Sequence, residues 1–201
     1  MTLETQLSGA DGFIESMRNR ESLSGPGSTL AATTEIREWL PAIIDRYSIW
    51  HIADVPCGDW TWMSAVDLRG AAYRGYDVSQ EVVDANGAKY PHAFEKLNAI
   101  AAKIPAYADL IICRDFLVHL TYEHAKAVLE NFRASGAEYL AVTTFPGQAN
   151  GELQEWSDGW GWRPLDMEAE PFNLPPAIDG VKECFFGDKW NRWTKLYRIS
   201  Q

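Results

Sequence analysis

The feature that most constrains the fold is an alternation of short apolar runs with helical segments between residues 50 and 145. Ser79 and Thr121 are placed to cap two of these helices, which are predicted to run to about Tyr90 and Ser135. Continuous apolar strands separated by helices are typical of a parallel sheet covered on both faces. The five predicted strands are WHIADV (50–55), AAYRGYDV (71–78), FEKLNAI (94–100), ADLIIC (108–113) and EYLAVTTF (138–145).

The segments outside this alternation complete the predicted architecture. Upstream, the turn SGPGST (24–29) precedes a helical pattern that Ser28 or Thr29 could cap and that Pro41 is expected to kink or break. A short helix is possible at 13–18. Downstream, VKECFF (181–186) and RWTKLYRI (192–199) predict an antiparallel hairpin.

The predicted fold class is therefore α/β, a Rossmann-like doubly wound sheet that is mostly parallel, with helices on both faces and a C-terminal antiparallel hairpin. The length of 201 residues suits a single domain. Its expected parts are N-terminal cap helices (1–48), a cofactor-binding core (49–145), an aromatic substrate loop (146–180) and the hairpin (181–201).

Charge and composition restrict the partners. The net charge of −10 argues against a nucleic-acid backbone as the main partner, because such binding needs a basic face. No apolar run reaches the ~20 residues of a membrane helix, and the first residues lack a secretory pattern. The three cysteines form no CxxC pair, which disfavours a disulfide framework and a zinc site. We expect a cytoplasmic protein with a small-molecule substrate, as a monomer or a homodimer.

The turn after the first strand, Val55–Asp59, is the predicted ligand contact, because open parallel sheets bind ligands at the carboxyl ends of their strands. Gly58 would let the backbone approach a ligand closely, and Pro56 would hold the chain extended before the turn. Asp77 ends the second strand, where a carboxylate can accept both hydroxyls of a ribose. The purely structural alternatives are a tight turn with a capping aspartate for Asp54 and Gly58, and a helix cap for Asp77.

The same turn argues against a dinucleotide. A pyrophosphate site needs the glycine fingerprint GxGxxG, and this turn offers one glycine. Asp59 would also repel a pyrophosphate. The turn therefore predicts a nucleoside without phosphates, with Asp59, Trp60 and Trp62 shaping the wall of its site.

The motifs DVPCGDW, GYDVS, KLNAI and DLIICRDFLVHL occur in the order found in class I S-adenosylmethionine-dependent methyltransferases, and the chain resembles that family over about residues 50 to 145. Pro56 and Trp60 stand where the family has glycines. The upstream segment also resembles small bacterial methyltransferases found beside glycan or natural-product enzymes.

The resemblance implies S-adenosylmethionine as cofactor and S-adenosylhomocysteine as product, with the N-terminal turn folded over the methionine end and its amides holding the methionine carboxylate. Asn98 stands at the adenine position, although it could equally be a turn residue. The implied cofactor-binding residues are Ser28, Asp54, Pro56, Gly58, Asp77, Val78, Asn98, Ala99 and Arg114.

Catalytic candidates follow the fourth strand. His119 would lie on one face with Asp115, which would raise the basicity of the ring, so that the histidine could remove a proton from an acceptor hydroxyl. Packing under the next helix is its alternative role, and an Arg114–Asp115 ion pair at the sheet end is another. We expect metal-independent methyl transfer, more to oxygen than to nitrogen.

Five of the nine tryptophans fall between Trp156 and Trp193. They predict either a substrate lid with aromatic faces or a loop packed on the sheet. The candidate substrate residues are Trp160, Trp162, Arg163 and Lys182, with Lys189 as a further cation. The alternative for each of the three cations is a solvated surface charge. Two other functional classes stay open: a nucleoside-binding module or inactive methyltransferase-like subunit, and an NAD-dependent oxidoreductase, which the missing glycines disfavour.

Overall fold

A seven-stranded sheet organises the protein. The structure is a computed structural model that describes residues 21–105, 107–155, 161–184 and 191–200. Its strands are β1 His51–Asp54, β2 Ala72–Asp77, β3 Ala93–Lys96, β4 Leu110–Cys113, β5 Tyr139–Thr144, β8 Asp179–Lys182 and β9 Trp193–Arg198. They run in the order β3-β2-β1-β4-β5-β9-β8, in which β1 to β5 are parallel and β9 is antiparallel to both of its neighbours. A separate pair joins β6 Gln154–Glu155 and β7 Gly161–Trp162.

Helices cover both faces of the sheet, as the alternation predicted. Helix α1 spans Thr34–Arg46, α2 spans Gln80–Lys89 and α3 spans Tyr122–Ala134. The capping predictions for α2 and α3 are confirmed, because the hydroxyls of Ser79 and Thr121 accept bonds from Val82 N and His124 N. Single 3-10 turns occupy Pro26–Ser28, Ala31–Thr33, Met63–Ala65 and Leu117–His119.

The residues of the central strands divide between two apolar clusters, one on each face. Ile111 and Leu140 face α3, whose apolar residues include Val128 and Phe132. Their strand neighbours face α1 in the opposite cluster: Leu110, Ile112, Tyr139 and Ala141. Strand β4 is buried along its whole length because helices lie on both sides of it, which is why its sequence shows no alternation of polar and apolar residues.

The start of α1 differs from the prediction. Ser28 and Thr29 do not cap the helix, because the chain passes through two 3-10 turns before α1 begins at Thr34. Pro41 lies inside the continuous helix and neither breaks nor ends it. The apolar residues before and after Pro41 pack in one cluster, so tertiary packing outweighs the local cost of the proline.

Two strand boundaries also differ. β3 ends at Lys96, and the predicted residues up to Ile100 form a turn in which Asn98 Oδ1 accepts a bond from Ile100 N at 3.0 Å. β8 begins at Asp179, two residues before its predicted start, and ends at Lys182. The helix considered at 13–18 lies outside the described residues.

The described part of the segment between β5 and β8 packs into the core. Phe145 N donates to Leu165 O at 2.8 Å, and Met167 N donates to Thr144 Oγ1 at 3.0 Å. Leu165 and Met167 are fully buried. This part of the aromatic loop therefore forms a fixed wall beside the carboxyl end of β5. Among the described residues, no helix has the length and apolar character needed to cross a bilayer.

Candidate nucleoside-binding site

A cavity of about 190 Å³ lies at the carboxyl ends of β1, β2 and β4. It brings together nine of the residues predicted from sequence: Ser28, Asp54, Pro56, Gly58, Asp59, Trp62, Asp77, Arg114 and Asp115. Ser24 and Cys57 complete its lining. Carboxylates therefore dominate the wall, with one guanidinium among them. Such a cavity complements a cationic or hydroxyl-rich ligand better than a phosphate.

Gly58 occupies a position that only glycine fits. Its φ is +53°, in the left-handed region, and a Cβ there would lie 2.3 Å from Ser24 Oγ. Gly58 N donates to Asp77 Oδ2 at 3.2 Å, and Gly58 O accepts from Asn86 Nδ2 at 2.7 Å. The turn after β1 is thus bonded to the end of β2 and to α2.

A Gly58→Ala variant is expected to lose about 1–3 kcal/mol of stability, because alanine resists this φ and its methyl group would displace Ser24. Urea unfolding of the variant and of Gly87→Ala measures the loss. Gly87 lies on α2 with open space around its Cβ position, so that control is expected to gain stability slightly. Equal stability of Gly58→Ala and the wild type would contradict the steric argument.

Asp59 anchors the N-terminal segment over the cavity. Its carboxylate accepts from Ser22 Oγ, from Leu23 N at 2.6 Å and from Ser24 Oγ. Asp59 N in turn donates to Ser24 Oγ at 2.9 Å. The sequence predicted that this segment folds over the site and that its amides hold a cofactor carboxylate. Ser24 and Ser28 of the predicted turn do line the cavity, but their amides already donate to Ser22 Oγ at 3.1 Å and to Gly25 O at 3.0 Å.

Asp54 is an internal carboxyl at the end of β1. It is buried, and Tyr73 Oη donates to its Oδ2 at 2.6 Å. Burial is the main cause that raises the pKa of Asp54 to about 7, and the nearby Asp77 carboxylate adds to the rise. The sequence indicated the aspartate, but Tyr73 was missed because its partner lies on the neighbouring strand.

The raised pKa of Asp54 predicts a pH-dependent stability. The unfolded carboxyl is ionised above about pH 4, whereas the folded one holds its proton up to about pH 7, so stability falls as pH rises through that window. The loss at this site is on the order of 4 kcal/mol by pH 8. Asp54→Asn keeps the shape and the acceptor for Tyr73 but cannot ionise. Urea unfolding at pH 5 and 8 is expected to show the variant gaining stability relative to wild type at pH 8, whereas parallel changes would contradict the assignment.

The Asp77 carboxylate, at the end of β2, accepts hydrogen bonds from two backbone amides. Its Oδ1 accepts from Ser79 N at 2.9 Å, and its Oδ2 accepts from Gly58 N. Burial raises the pKa of Asp77, and these amide bonds oppose the rise. The cap of α2 is the Ser79 hydroxyl. Each Asp77 oxygen keeps a second lone pair, which can accept a ligand hydroxyl. Val78, also predicted, lies beside it and is half-buried.

A buried charge network includes two residues of the cavity lining, Arg114 and Asp115. Arg114 donates to Glu183 Oε2 at 2.6 Å and 3.1 Å, and Arg192 donates to Asp115 Oδ2 at 2.7 Å. Thr194 Oγ1 donates to Glu183 Oε1 at 2.7 Å. Arg114 and Asp115 are 3.8 Å apart, so the predicted ion pair exists, but each has a closer partner. Glu183 and Arg192 were not identified as site residues from the sequence.

Asp115 is fixed in an unusual backbone conformation. Its φ is +52°, and its amide donates to Thr143 Oγ1 at 2.9 Å. Burial alone would raise the pKa of Asp115, but the guanidinium groups of Arg192 and Arg114 hold it below the usual value. A non-glycine residue in this region is strained, and such strain is concentrated at functional sites.

His119 lies in the 3-10 turn Leu117–His119 and is half-buried. Its Nδ1 is 2.7 Å from the carbonyl oxygen of Gly161. The predicted pairing with Asp115 takes a different form: the Asp115 carboxylate is bonded to Arg192, and it interacts with His119 electrostatically. His119 and Asp115 are therefore brought to the same end of the sheet, with Asp115 in the lining of the cavity.

The predicted adenine residues lie outside the lining of the cavity. Asn98 is exposed and closes the turn after β3. Ala99 is buried, and its carbonyl accepts from Asn131 Nδ2 at 2.9 Å. Asn98 therefore acts as a turn residue in the structure. A contact with the adenine ring would be a second role.

The predicted substrate residues occupy different environments. Trp162 packs edge-on against Phe145 at 5.6 Å between ring centroids. Arg163, proposed from sequence as a partner for an anionic group, is instead buried, and its Nη2 donates to Leu120 O at 2.6 Å. Lys182 is half-buried on β8. Trp160 and Lys189 lie outside the described residues. Among the residues that the structure describes, no three His, Cys, Asp or Glu side chains cluster as metal ligands would.

Three solved structures that resemble this chain in fold are methyltransferases. The 1,6-didemethyltoxoflavin-N1-methyltransferase of Burkholderia thailandensis, solved with S-adenosylhomocysteine, superposes with a TM-score of 0.70 at 12% identity, covering 100% of this chain and 92% of that one. The magnesium protoporphyrin IX methyltransferase of Synechocystis PCC 6803, solved with S-adenosylmethionine, gives 0.60 at 14% identity over 96% and 93%. An S-adenosylmethionine-dependent methyltransferase of Clostridium acetobutylicum gives 0.61 at 12% over 82% and 91%.

No family model and no curated protein matches the sequence. The structural likenesses establish the fold, which is that of class I S-adenosylmethionine-dependent methyltransferases, and the fold implied by the sequence motifs is confirmed.

Proposed function

We propose that this chain, with its class I methyltransferase fold, transfers a methyl group from S-adenosylmethionine to a small-molecule acceptor. The observation that carries the proposal is the acidic cavity at the carboxyl ends of β1, β2 and β4, where Asp54, Asp77 and Asp115 converge. Ligands of open parallel sheets bind at this edge. The turn lacks the glycines of a pyrophosphate site, which argues against a dinucleotide.

The charge of the cavity supports the placement of the cofactor. S-adenosylmethionine brings an activated methyl group on a sulfonium ion, and it also carries an ammonium group. We place the ribose hydroxyls on Asp77 and the cationic methionine portion beside Asp54, Asp59 and Asp115, under the segment that contains Ser24 and Ser28. The adenine would lie toward Asn98 and Ala99. The carboxylates of Asp59 and Asp115 would attract both cations and would disfavour a phosphate.

We further propose an oxygen acceptor, most simply a hydroxyl of a sugar or a natural-product intermediate, with no metal required. Transfer would break the sulfur–methyl bond, leave its electron pair on sulfur and join the methyl to the acceptor oxygen. His119 would take the hydroxyl proton, which histidine can do near neutral pH. Trp162 and Lys182 remain candidates for contact with the acceptor. The described residues serve chiefly to align donor and acceptor, which is where most of the acceleration arises.

Calorimetric titration with S-adenosylhomocysteine tests the cofactor assignment, with NAD as the control ligand. Micromolar binding of S-adenosylhomocysteine alone is the expected result. Absence of binding, or a preference for NAD, would contradict the proposal. Binding without turnover in a screen of hydroxyl acceptors would instead favour a nucleoside-binding module.

A further inference from the structure

One short segment, Gly161–Arg163, holds the turn that carries His119. Arg163 N donates to Val118 O at 3.1 Å, and Arg163 Nη2 donates to Leu120 O at 2.6 Å. His119 Nδ1 is 2.7 Å from Gly161 O. The carbonyls before and after His119 are therefore bonded to Arg163, and the ring itself to Gly161, two residues that come more than forty positions later in the sequence.

The contact with Gly161 determines which nitrogen of His119 carries the proton. A carbonyl oxygen can only accept a hydrogen bond, so the neutral ring must hold its proton on Nδ1. Nε2 then carries the lone pair, and it is the nitrogen that can receive a proton. A neutral histidine in water ordinarily prefers the opposite tautomer, with the proton on Nε2. The Gly161 carbonyl thus selects the form in which Nε2 is the base.

Gly161 is closely packed. A Cβ at Gly161 would lie 2.6 Å from Leu153 Cγ and 2.8 Å from its Cδ2, so a larger residue would require the Leu153 side chain or the backbone to shift. Gly161 itself is buried.

Arg163 fixes the other side of the turn. It is 3% exposed, and its guanidinium lies 4.1 Å from the ring centroid of Tyr122 on α3. Burial lowers the pKa of Arg163, and the cost of burying this cation is offset by its bond to Leu120 O and by the aromatic face. A planar guanidinium that donates to a carbonyl and stacks on a ring at once is a geometry that lysine cannot reproduce.

We propose that Gly161 and Arg163 are positioning residues that set the tautomer and the orientation of His119. The assignment of Arg163 as a substrate-binding cation is thereby replaced by an internal role. The inference rests on the proposed function, because the tautomer matters for catalysis only if His119 is the base. The tautomer itself can be observed without turnover.

Nitrogen-15 NMR of the imidazole groups at pH 8 is the direct test. The protein has four histidines, and the His119→Gln variant identifies the signal of His119 by its loss. The wild type is expected to show the Nδ1–H tautomer at His119. Arg163→Met is expected to shift that signal toward the Nε2–H form. Arg133→Met removes an exposed arginine of α3 and is expected to leave it unchanged. An Nε2–H signal in the wild type, or no shift in Arg163→Met, would overturn the proposal.

A second set of measurements separates this inference from the proposed function. S-adenosylhomocysteine affinity is expected to be unchanged in Arg163→Met, while kcat falls about tenfold, part of the ~10²–10⁴ that a general base contributes. Should Arg163→Met fail to fold, Arg163→Lys serves instead, since it keeps the charge and loses the planar contact. An unchanged kcat in a variant whose tautomer has shifted would reject the importance of the tautomer, whereas failure of wild-type binding would reject the proposed function and leave the tautomer standing.

Discussion

Glu183→Ala is expected to lower the free energy of unfolding by about 3–5 kcal/mol, the cost of breaking a buried ion pair from one side. The Glu183 side chain is 1% exposed, and it accepts two bonds from Arg114, a longer one from Arg192 and one from Thr194. Burial alone would lower the pKa of Arg114, but Glu183 and Asp115 raise it. Without Glu183, the carboxylate nearest to the buried Arg114 in the described network would be that of Asp115, which is 3.8 Å away.

Urea unfolding of Glu183→Ala measures this loss, and Glu138→Ala is the matched control. Glu138 pairs with Arg198 at 2.6 Å on the surface, with side chains that are 44% and 55% exposed. Such exposed pairs are worth about 1 kcal/mol or less. Two glutamates that both bond arginine are thus expected to differ several-fold in the effect of their removal. A loss for Glu183→Ala as small as that of the control would contradict the buried network.

Asp77→Asn is expected to weaken S-adenosylhomocysteine binding by about 100-fold. Under the proposed function, the carboxylate accepts ribose hydroxyls with lone pairs that its amide bonds leave available. A charged acceptor makes each such bond worth about 1.5–3 kcal/mol, and ~2.7 kcal/mol corresponds to 100-fold. Asparagine also turns an NH₂ group toward either the Gly58 or the Ser79 amide, where two donors would face each other.

Calorimetric titration of Asp77→Asn is compared with that of Asp84→Asn, in which an exposed carboxylate of α2 is neutralised. The control is expected to bind like the wild type. Thermal unfolding of both variants shows whether each is still folded, which separates loss of binding from loss of folding. This control is needed because Asp77 is desolvated in the fold, and neutralising it removes the free-energy cost of burying its charge. Unchanged affinity in a folded Asp77→Asn protein would show that the ribose lies elsewhere.

The predictable part of the fold was the part specified by local pattern. β4 and β5 are buried on both faces, so their apolar runs indicated a parallel sheet directly. Ser79 and Thr121 cap helices through contacts three residues away, which a sequence shows at once. The start of α1 was mispredicted because two consecutive 3-10 turns have no distinct sequence pattern.

The site residues at and just after the strand ends were predictable from the sequence. The partners that come from distant parts of the chain were not. Asp54, Gly58 and Asp77 follow from their positions at strand ends. Glu183 meets Arg114 only because β9 lies between β5 and β8, an order that no local pattern reveals. Arg163 was read as a surface cation because its burial depends on Tyr122, a residue of a helix far earlier in the chain.

The order of the strands has a consequence for the time course of synthesis. β8 leaves the ribosome before β9, yet it joins the sheet through β9, which pairs with it on one side and with β5 on the other. We therefore expect β8 to wait, unpaired with the sheet, until β9 has been translated. Glu183 follows β8 directly, so Arg114 would spend that interval without its main counter-ion. The buried charge network around Arg114 is then among the last parts of the molecule to be assembled, after the parallel strands and their helices have already formed.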